Sequence, residues 1–217
     1  MSLRAFSRLR SSLVPLLYRR AEPDDAAGLA DLAALTFPLA CPPSLDREAV
    51  AAFISSNLST ESFQQYLADR SHRVIAGVDD DRKIRAYALL VRGTAMDEDC
   101  APMIRARPTI GISKFYLDPT LHGSGEATRM LDAVIEVAES EAARSLWLAT
   151  NIANARARGF YTRTGFIERG ERDFLVGGVP NRDVVLERPL PSPGQPPTVS
   201  KRDSASSRDV ARRYFLR

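Results

Sequence analysis

Residues His122 to Ala127 read His-Gly-Ser-Gly-Glu-Ala and lie between a β-forming run, Ile110 to Leu117, and an amphipathic stretch with helical period. Strand, glycine-rich turn and helix together make an anion site. Glycines let the backbone approach a phosphate closely, and the first helical turn adds unpaired N–H donors and the positive end of a dipole. A tight strand-to-helix turn needs the same glycines, so the hexapeptide alone leaves both readings open. No Gly-Lys-Ser/Thr follows, which excludes a nucleoside triphosphatase loop. A dinucleotide fingerprint also fits poorly, because the glycine spacing differs and the motif lies mid-chain.

A second pattern narrows the choice. Leu146-Trp147-Leu148-Ala149-Thr150 reads as a buried strand, followed by Asn154 and then by Ala157, Phe160, Tyr161, Gly165 and Phe166 at offsets of 3, 6, 7, 11 and 12. Together with the glycine turn, this resembles the GNAT superfamily of N-acetyltransferases. Their acetyl-CoA loop has the form Gln/Arg-x-x-Gly-x-Gly/Ala, and their next strand and helix carry Asn-x-x-Ala-x-x-aromatic-Tyr-x-x-x-Gly-Phe. The resemblance spans about residues 18 to 190. Softer features are most similar to PaiA-type polyamine acetyltransferases: Thr36-Phe37, the helix start Ser59-x-Glu61-Ser62-Phe63, and Phe174-Leu175-Val176-Gly177 followed by Asp183-Val184-Val185.

The resemblance implies an α/β (α+β) fold with a mixed, mostly antiparallel sheet of six to seven strands, splayed at its centre and flanked by helices. It further implies acetyl-CoA as co-substrate, no metal, an amine acceptor such as a polyamine or other small cation, and frequent dimerisation. Carried over residue by residue, the amides of Gly123, Ser124, Gly125, Glu126, Ala127 and Thr128 would hold pyrophosphate, assisted by His122 where the family has Gln or Arg. Phe115, Tyr116 and Leu117 would pair with the pantetheine arm as an added strand, and Asn154 would contact it. Asn154 is equally a helix N-cap by residue type. Tyr161 would return a proton to the departing thiolate. A Tyr beside a Phe in an amphipathic helix is otherwise a core residue, and only the surrounding pattern argues for more.

Two departures leave room for other functions. His122 replaces the usual Gln/Arg, and Gly111 stands where many relatives carry a glutamate base. Lys114 has the wrong charge for that role, leaving a water relay or an acid from the Asp97–Asp99 loop. The alternatives are acetylation of a protein N-terminus or lysine, and a non-catalytic acyl-CoA-binding regulatory module.

The elements that must hold these residues follow from pattern. A strand at Leu16–Arg20 precedes a helix opened by Pro23-Asp24-Asp25 and broken by Pro38 and Pro42-Pro43. Two helices, Ser44 to Leu58 and Ser59 to Asp69, lead to a hairpin of Val74–Val78 and Ile84–Val91 across an acidic, solvated turn, Asp79-Asp80-Asp81. A long loop, 93–108, precedes the central strand. A helix from Gly125 to Ala143, a strand at 145–150, a helix at 154–164 and strands near Phe166–Val176 and Asp183–Glu187 complete the domain. Trp147 and the methionines read as core.

The chain has 217 residues, 44% of them hydrophobic, which is enough for one domain over 16–190 with a 1–15 extension and a disordered, basic, proline-rich tail at 191–217. The net charge of +3 and pI near 9.1 are unevenly spread. Residues 1–20 hold five arginines and no acid, and 191–217 hold six basic and two acidic residues, leaving 19 basic and 25 acidic between them, a net of −6. The basic character belongs to the ends, which argues against nucleic acid as a partner of the domain. No stretch has the length of a membrane span. Cys41 and Cys100 lie far apart without metal-ligand spacing, as expected of reduced thiols in a cytoplasmic protein.

Overall fold

The computed structural model describes residues 15–41, 46–176 and 179–191. The anticipated extension before residue 15, the tail after 191, and the helix start at Ser44 and Leu45 lie outside these residues. Side chains of 174–181 are likewise outside the description, including those of Phe174 and Leu175.

Among the described residues seven strands form one sheet: β1 (Leu17–Arg20), β2 (His72–Val78), β3 (Ile84–Arg92), β4 (Thr109–Leu117), β5 (Ser145–Asn151), β6 (Ile167–Val176) and β7 (Val179–Pro189), in the order β1-β2-β3-β4-β5-β7-β6. All neighbours pair antiparallel except β4 and β5. Among the described residues five helices flank the sheet: α1 (Ala26–Ala40), α2 (Arg47–Asn57), α3 (Thr60–Ala68), α4 (Glu126–Ser140) and α5 (Ala155–Arg163). Most boundaries fall within about three residues of those expected; β7 is longer. Among the described residues no helix is long and apolar enough to cross a membrane.

Alternation along the strands divides the core between two faces. Ala86, Ala88, Leu90, Ile110, Ile112, Leu146 and Leu148 pack under Met130, Leu131 and Val134 of α4. The opposite face carries Val74, Ala76, Tyr87 and Leu89 against Leu29, Leu32 and Ala33 of α1 and Phe63 of α3. Trp147 and Val185 on that second face meet Cys100 and Ile104 of the 93–108 loop.

Pro38 does not break α1, which continues to Ala40. Pro38 removes the bond its N–H would make to Ala34 O, and the helix runs only two residues beyond it. The loop from 93 to 108 is bound to the sheet. Trp147 Nε1 donates to Gly93 O at 2.9 Å, and fully buried Glu187 accepts from the amides of Arg105 (3.1 Å) and Ala106 (2.9 Å) while pairing with Arg169 at 2.7 Å. Met96 occupies the space beside Gly111 where a side chain would lie, with its Cε 2.7 Å from an ideal Cβ position. The acidic turn is structural as read: Asp79 accepts from Lys83 N and pairs with Arg85.

Removing the Glu187 carboxylate leaves the amides of Arg105 and Ala106 and the Arg169 guanidinium without their acceptor. Glu187→Leu is expected to lower the unfolding free energy in urea by about 3–5 kcal/mol, and Glu187→Gln, which keeps an acceptor, by clearly less.

Candidate functional site

Strands β4 and β5 pair only over Thr109↔Ser145, Ile110↔Leu146 and Gly111↔Trp147. Both run on, β4 to Leu117 and β5 to Asn151, with facing edges unpaired. The split begins beside a bulge: against β3, Leu90 pairs with Ile112 but Leu89 with Lys114, leaving Ser113 as the extra residue. A bulge bends its strand and reverses the side-chain alternation that follows. Lys114 and Tyr116 therefore face α1 and α3, and Phe115 and Leu117 face α4 and α5.

A cleft of about 680 Å³ passes through the sheet at this split. On the α4–α5 side it is lined by Phe115, Leu117, Phe160 and Tyr161, and beyond them by His122, Gly123, Gly125, Ala127, Thr128 and Asn154. On the α1–α3 side Thr36, Ala40, Lys114, Tyr116 and Asp183 line it. The structure thus gathers nearly all the candidate residues around one space. Ser124 and Glu126 do not line it. Ser124 Oγ donates to Leu121 O at 2.6 Å, and the Glu126 carboxylate accepts from Tyr18 (2.8 Å) and pairs with Arg129 (2.8 Å), so both side chains brace the turn.

The turn has the form an anion needs. Gly123 and Gly125 adopt φ of +83° and +92°, a left-handed conformation that disfavours side chains, and nothing lies within 4 Å of either absent Cβ. Among the described residues the amides of Gly123, Gly125 and Ala127 have no backbone acceptor. Arg156, two residues after Asn154, donates from Nη1 to His122 Nδ1 at 3.1 Å, which leaves the imidazole proton on Nε2. Burial and the Arg156 charge lower the His122 pKa, with Asp118 opposing. A guanidinium therefore stands at the loop after all, delivered by α5. Arg163 joins it at the lining.

Asn154 caps α5, accepting from Ala157 N at 3.1 Å. Tyr161 is buried within a ring cluster, its centroid 5.1 Å from Phe166, 5.2 Å from Phe160 and 6.1 Å from Phe115. Burial, with Tyr116 nearby, raises its pKa above the ordinary 10.0, so the phenol is protonated throughout the neutral range.

The other side of the cleft holds two charges that sequence reasoning did not assign. Asp183 on β7 is buried and paired with Arg172 at 3.2 Å; the same arginine pairs with Asp97 of the loop. Burial raises the Asp183 pKa and Arg172 partly opposes it. Lys114 has its Nζ 4.9 Å from the Tyr66 ring centroid and pairs with no carboxylate among the described residues. Burial alone pushes its pKa down to about 8. Asp183 entered the sequence reading only within the soft PaiA-like ending, Lys114 only as wrong in charge for a base, and Arg156 only as one arginine among several on α5.

The match to the model of the acetyltransferase (GNAT) family covers residues 39–166. Uncharacterized N-acetyltransferases of Mycobacterium tuberculosis and Mycobacterium bovis are 39% identical over 166 residues, 76% of this chain and 98% of theirs. The chain belongs to the GNAT family of acetyltransferases. Solved structures agree in fold: PaiA N-acetyltransferase from Thermoplasma acidophilum, in complex with coenzyme A, has a TM-score of 0.64 at 14% identity, covering 82% of this chain and 100% of that one. Arabidopsis thaliana NAA60, bound to a bisubstrate analogue, gives 0.61 at 16% identity, covering 79% and 96%.

A lysine whose pKa is lower folded than unfolded destabilises the fold at neutral pH. The penalty fades as pH rises from about 8 toward 10.5, where the unfolded chain alone still binds the proton. Lys114→Met is therefore expected to gain about 1–2 kcal/mol in urea unfolding at pH 7, shrinking by pH 10.

Proposed function

We propose that the chain transfers the acetyl group of acetyl-CoA to a primary amine. The observation that carries this reading is the cleft through the sheet at the β4–β5 split, with free amides at one end, a protonated phenol within and a buried carboxylate on the far side. Diphosphate would sit on the amides of Gly123, Gly125 and Ala127, with Arg156 and Arg163 adding charge. The pantetheine arm would lie along Phe115–Leu117, using the strand edge that β5 leaves open. The thioester carbonyl would then fall beside the Ser113 bulge, within reach of main-chain N–H.

The acceptor enters from the α1–α3 side. Its ammonium gives a proton to Asp183, whose raised pKa suits it to that task better than an ordinary surface carboxylate. The free amine attacks the thioester carbon, the C–N bond forms as the C–S bond breaks, and Tyr161 O–H donates its proton to the sulfur. The acetylated nitrogen sheds its second proton through water to the phenolate, and Asp183 releases the first to solvent. Asp183 thereby fills the role that Gly111 cannot, since Met96 takes the room a glutamate there would need.

A polyamine is the narrower acceptor implied by the likeness to PaiA-type enzymes, and the acidic domain favours cations in general. Long polycations are usually held by several carboxylates, and among the described residues Asp183 is the one that lines the cleft. A peptide N-terminus or lysine is the other acceptor class. A cytoplasmic setting accords with the two free thiols, Cys41 and Cys100. A homodimer, common in the family, belongs to this reading and is checked by light scattering.

Calorimetry with acetyl-CoA and thiol release over spermidine, amino acids and peptides tests the reading. Heat without release on any acceptor would make the chain a binding module. Tyr161→Phe should lower kcat at least tenfold while the Kd for acetyl-CoA changes less than about twofold. Gly125→Arg, which is strained at φ +92° and fills the turn, should weaken acetyl-CoA binding at least tenfold.

A further inference from the structure

Among the described residues Lys114 is a cation facing a ligand cleft with no counter-ion. Each source of a carboxylate around it can be traced among the described residues. Its neighbours on β4 and across to β3 are Phe115, Ser113 and Leu89. From α3 it meets the face of Tyr66, whose hydroxyl is already committed to Asn57 O at 3.1 Å. The residues of α1 that line the same side, Thr36, Leu39 and Ala40, are uncharged. Of the segments outside the described side chains, 1–14, 42–45 and 174–181 contain no Asp or Glu, and 192–217 holds Asp203 and Asp209. A half-buried charge without a partner is costly, and an aromatic face compensates only partly. Such a cost is common where a ligand completes the pairing.

The second charge on this side supplies the geometry. Gly111, Lys114, Trp147 and Asn151 share one face of the sheet, the bulge at Ser113 having restored Lys114 to it, and Asp183 pairs in register with Asn151. Lys114 and Asp183 therefore face the acceptor side from opposite banks of the split, one positive and one negative. They make no ion pair with each other, Asp183 being held by Arg172.

Resting on the acetyl-transfer reading, we infer that the acceptor is an amino acid or similar small molecule with a carboxylate near its amine. Lys114 binds the carboxylate and Asp183 takes the ammonium. The assignment makes Lys114 the specificity-determining residue. It also accounts for a lysine in a position that would repel a polyamine.

Each free amino acid and its methyl ester, spermidine, and a tetrapeptide amide are compared as acceptors by kcat/KM. The expected result is at least a tenfold preference for the best amino acid over its own ester. Lys114→Met should cut that ratio tenfold or more, chiefly through KM of the acid, and Lys114→Arg should restore most of it. Lys114→Glu should move the preference toward the ester and spermidine. Ester, spermidine or peptide amide used as well as any acid by the wild type would overturn the inference. So would an acid-to-ester ratio that survives Lys114→Met, with kcat falling alike on both, because Lys114 would then act on the thioester. If nothing is acetylated, acetyl transfer itself fails, and the inference is decided by calorimetry of the protein with and without coenzyme A. Amino-acid binding that Lys114→Met abolishes would support it, and absence of binding would refute it.

Discussion

Two adjacent parallel strands that hold together for three residue pairs and then separate impose the main constraint on this molecule. Strands β4 and β5 are joined at Thr109–Gly111 and Ser145–Trp147, in the most buried part of the sheet. Beyond that point each keeps its outer partner, β3 or β7, and loses the inner one. Unpaired main-chain groups then face each other across a gap. An amide-rich ligand can satisfy them, and side chains from both faces of the sheet line the gap.

Other features maintain that opening. The bulge at Ser113 bends β4 and restores Lys114 to the α1–α3 face. The Phe115–Tyr161–Phe166 ring cluster props α5 beneath the separated strands. On the opposite face Trp147, Glu187 and the 93–108 loop lock the joined half of the strands, so that the split does not propagate. Stability is concentrated at one end of the pair and access at the other.

The electrostatics follow the same division. Glu187, wholly buried, has its hydrogen bonds and ion pair supplied by the protein. Among the described residues Lys114 at the cleft has only an aromatic face. Asp183 lies between these cases, paired but raised in pKa by burial. The contrast separates groups that hold the fold from groups that destabilise it in the absence of a ligand.

Much of this was legible in order along the chain. Strand alternation, helix period and turn chemistry located all seven strands and five helices, because those signals depend on neighbours within a few residues. The glycine turn and the Asn154–Phe166 pattern could be read together for the same reason, each being a single local unit whose spacing survives in the sequence. Pro38 was misread since its cost depends on where in the helix it falls. What tertiary structure alone decided is which distant residues share a space. Arg156 reaches His122 across 34 positions, and Asp183 reaches the cleft only because β7 is inserted between β5 and β6. The facing of Lys114 depends on one extra residue in β4 that no periodicity reveals, because a bulge is defined against the partner strand and not within its own.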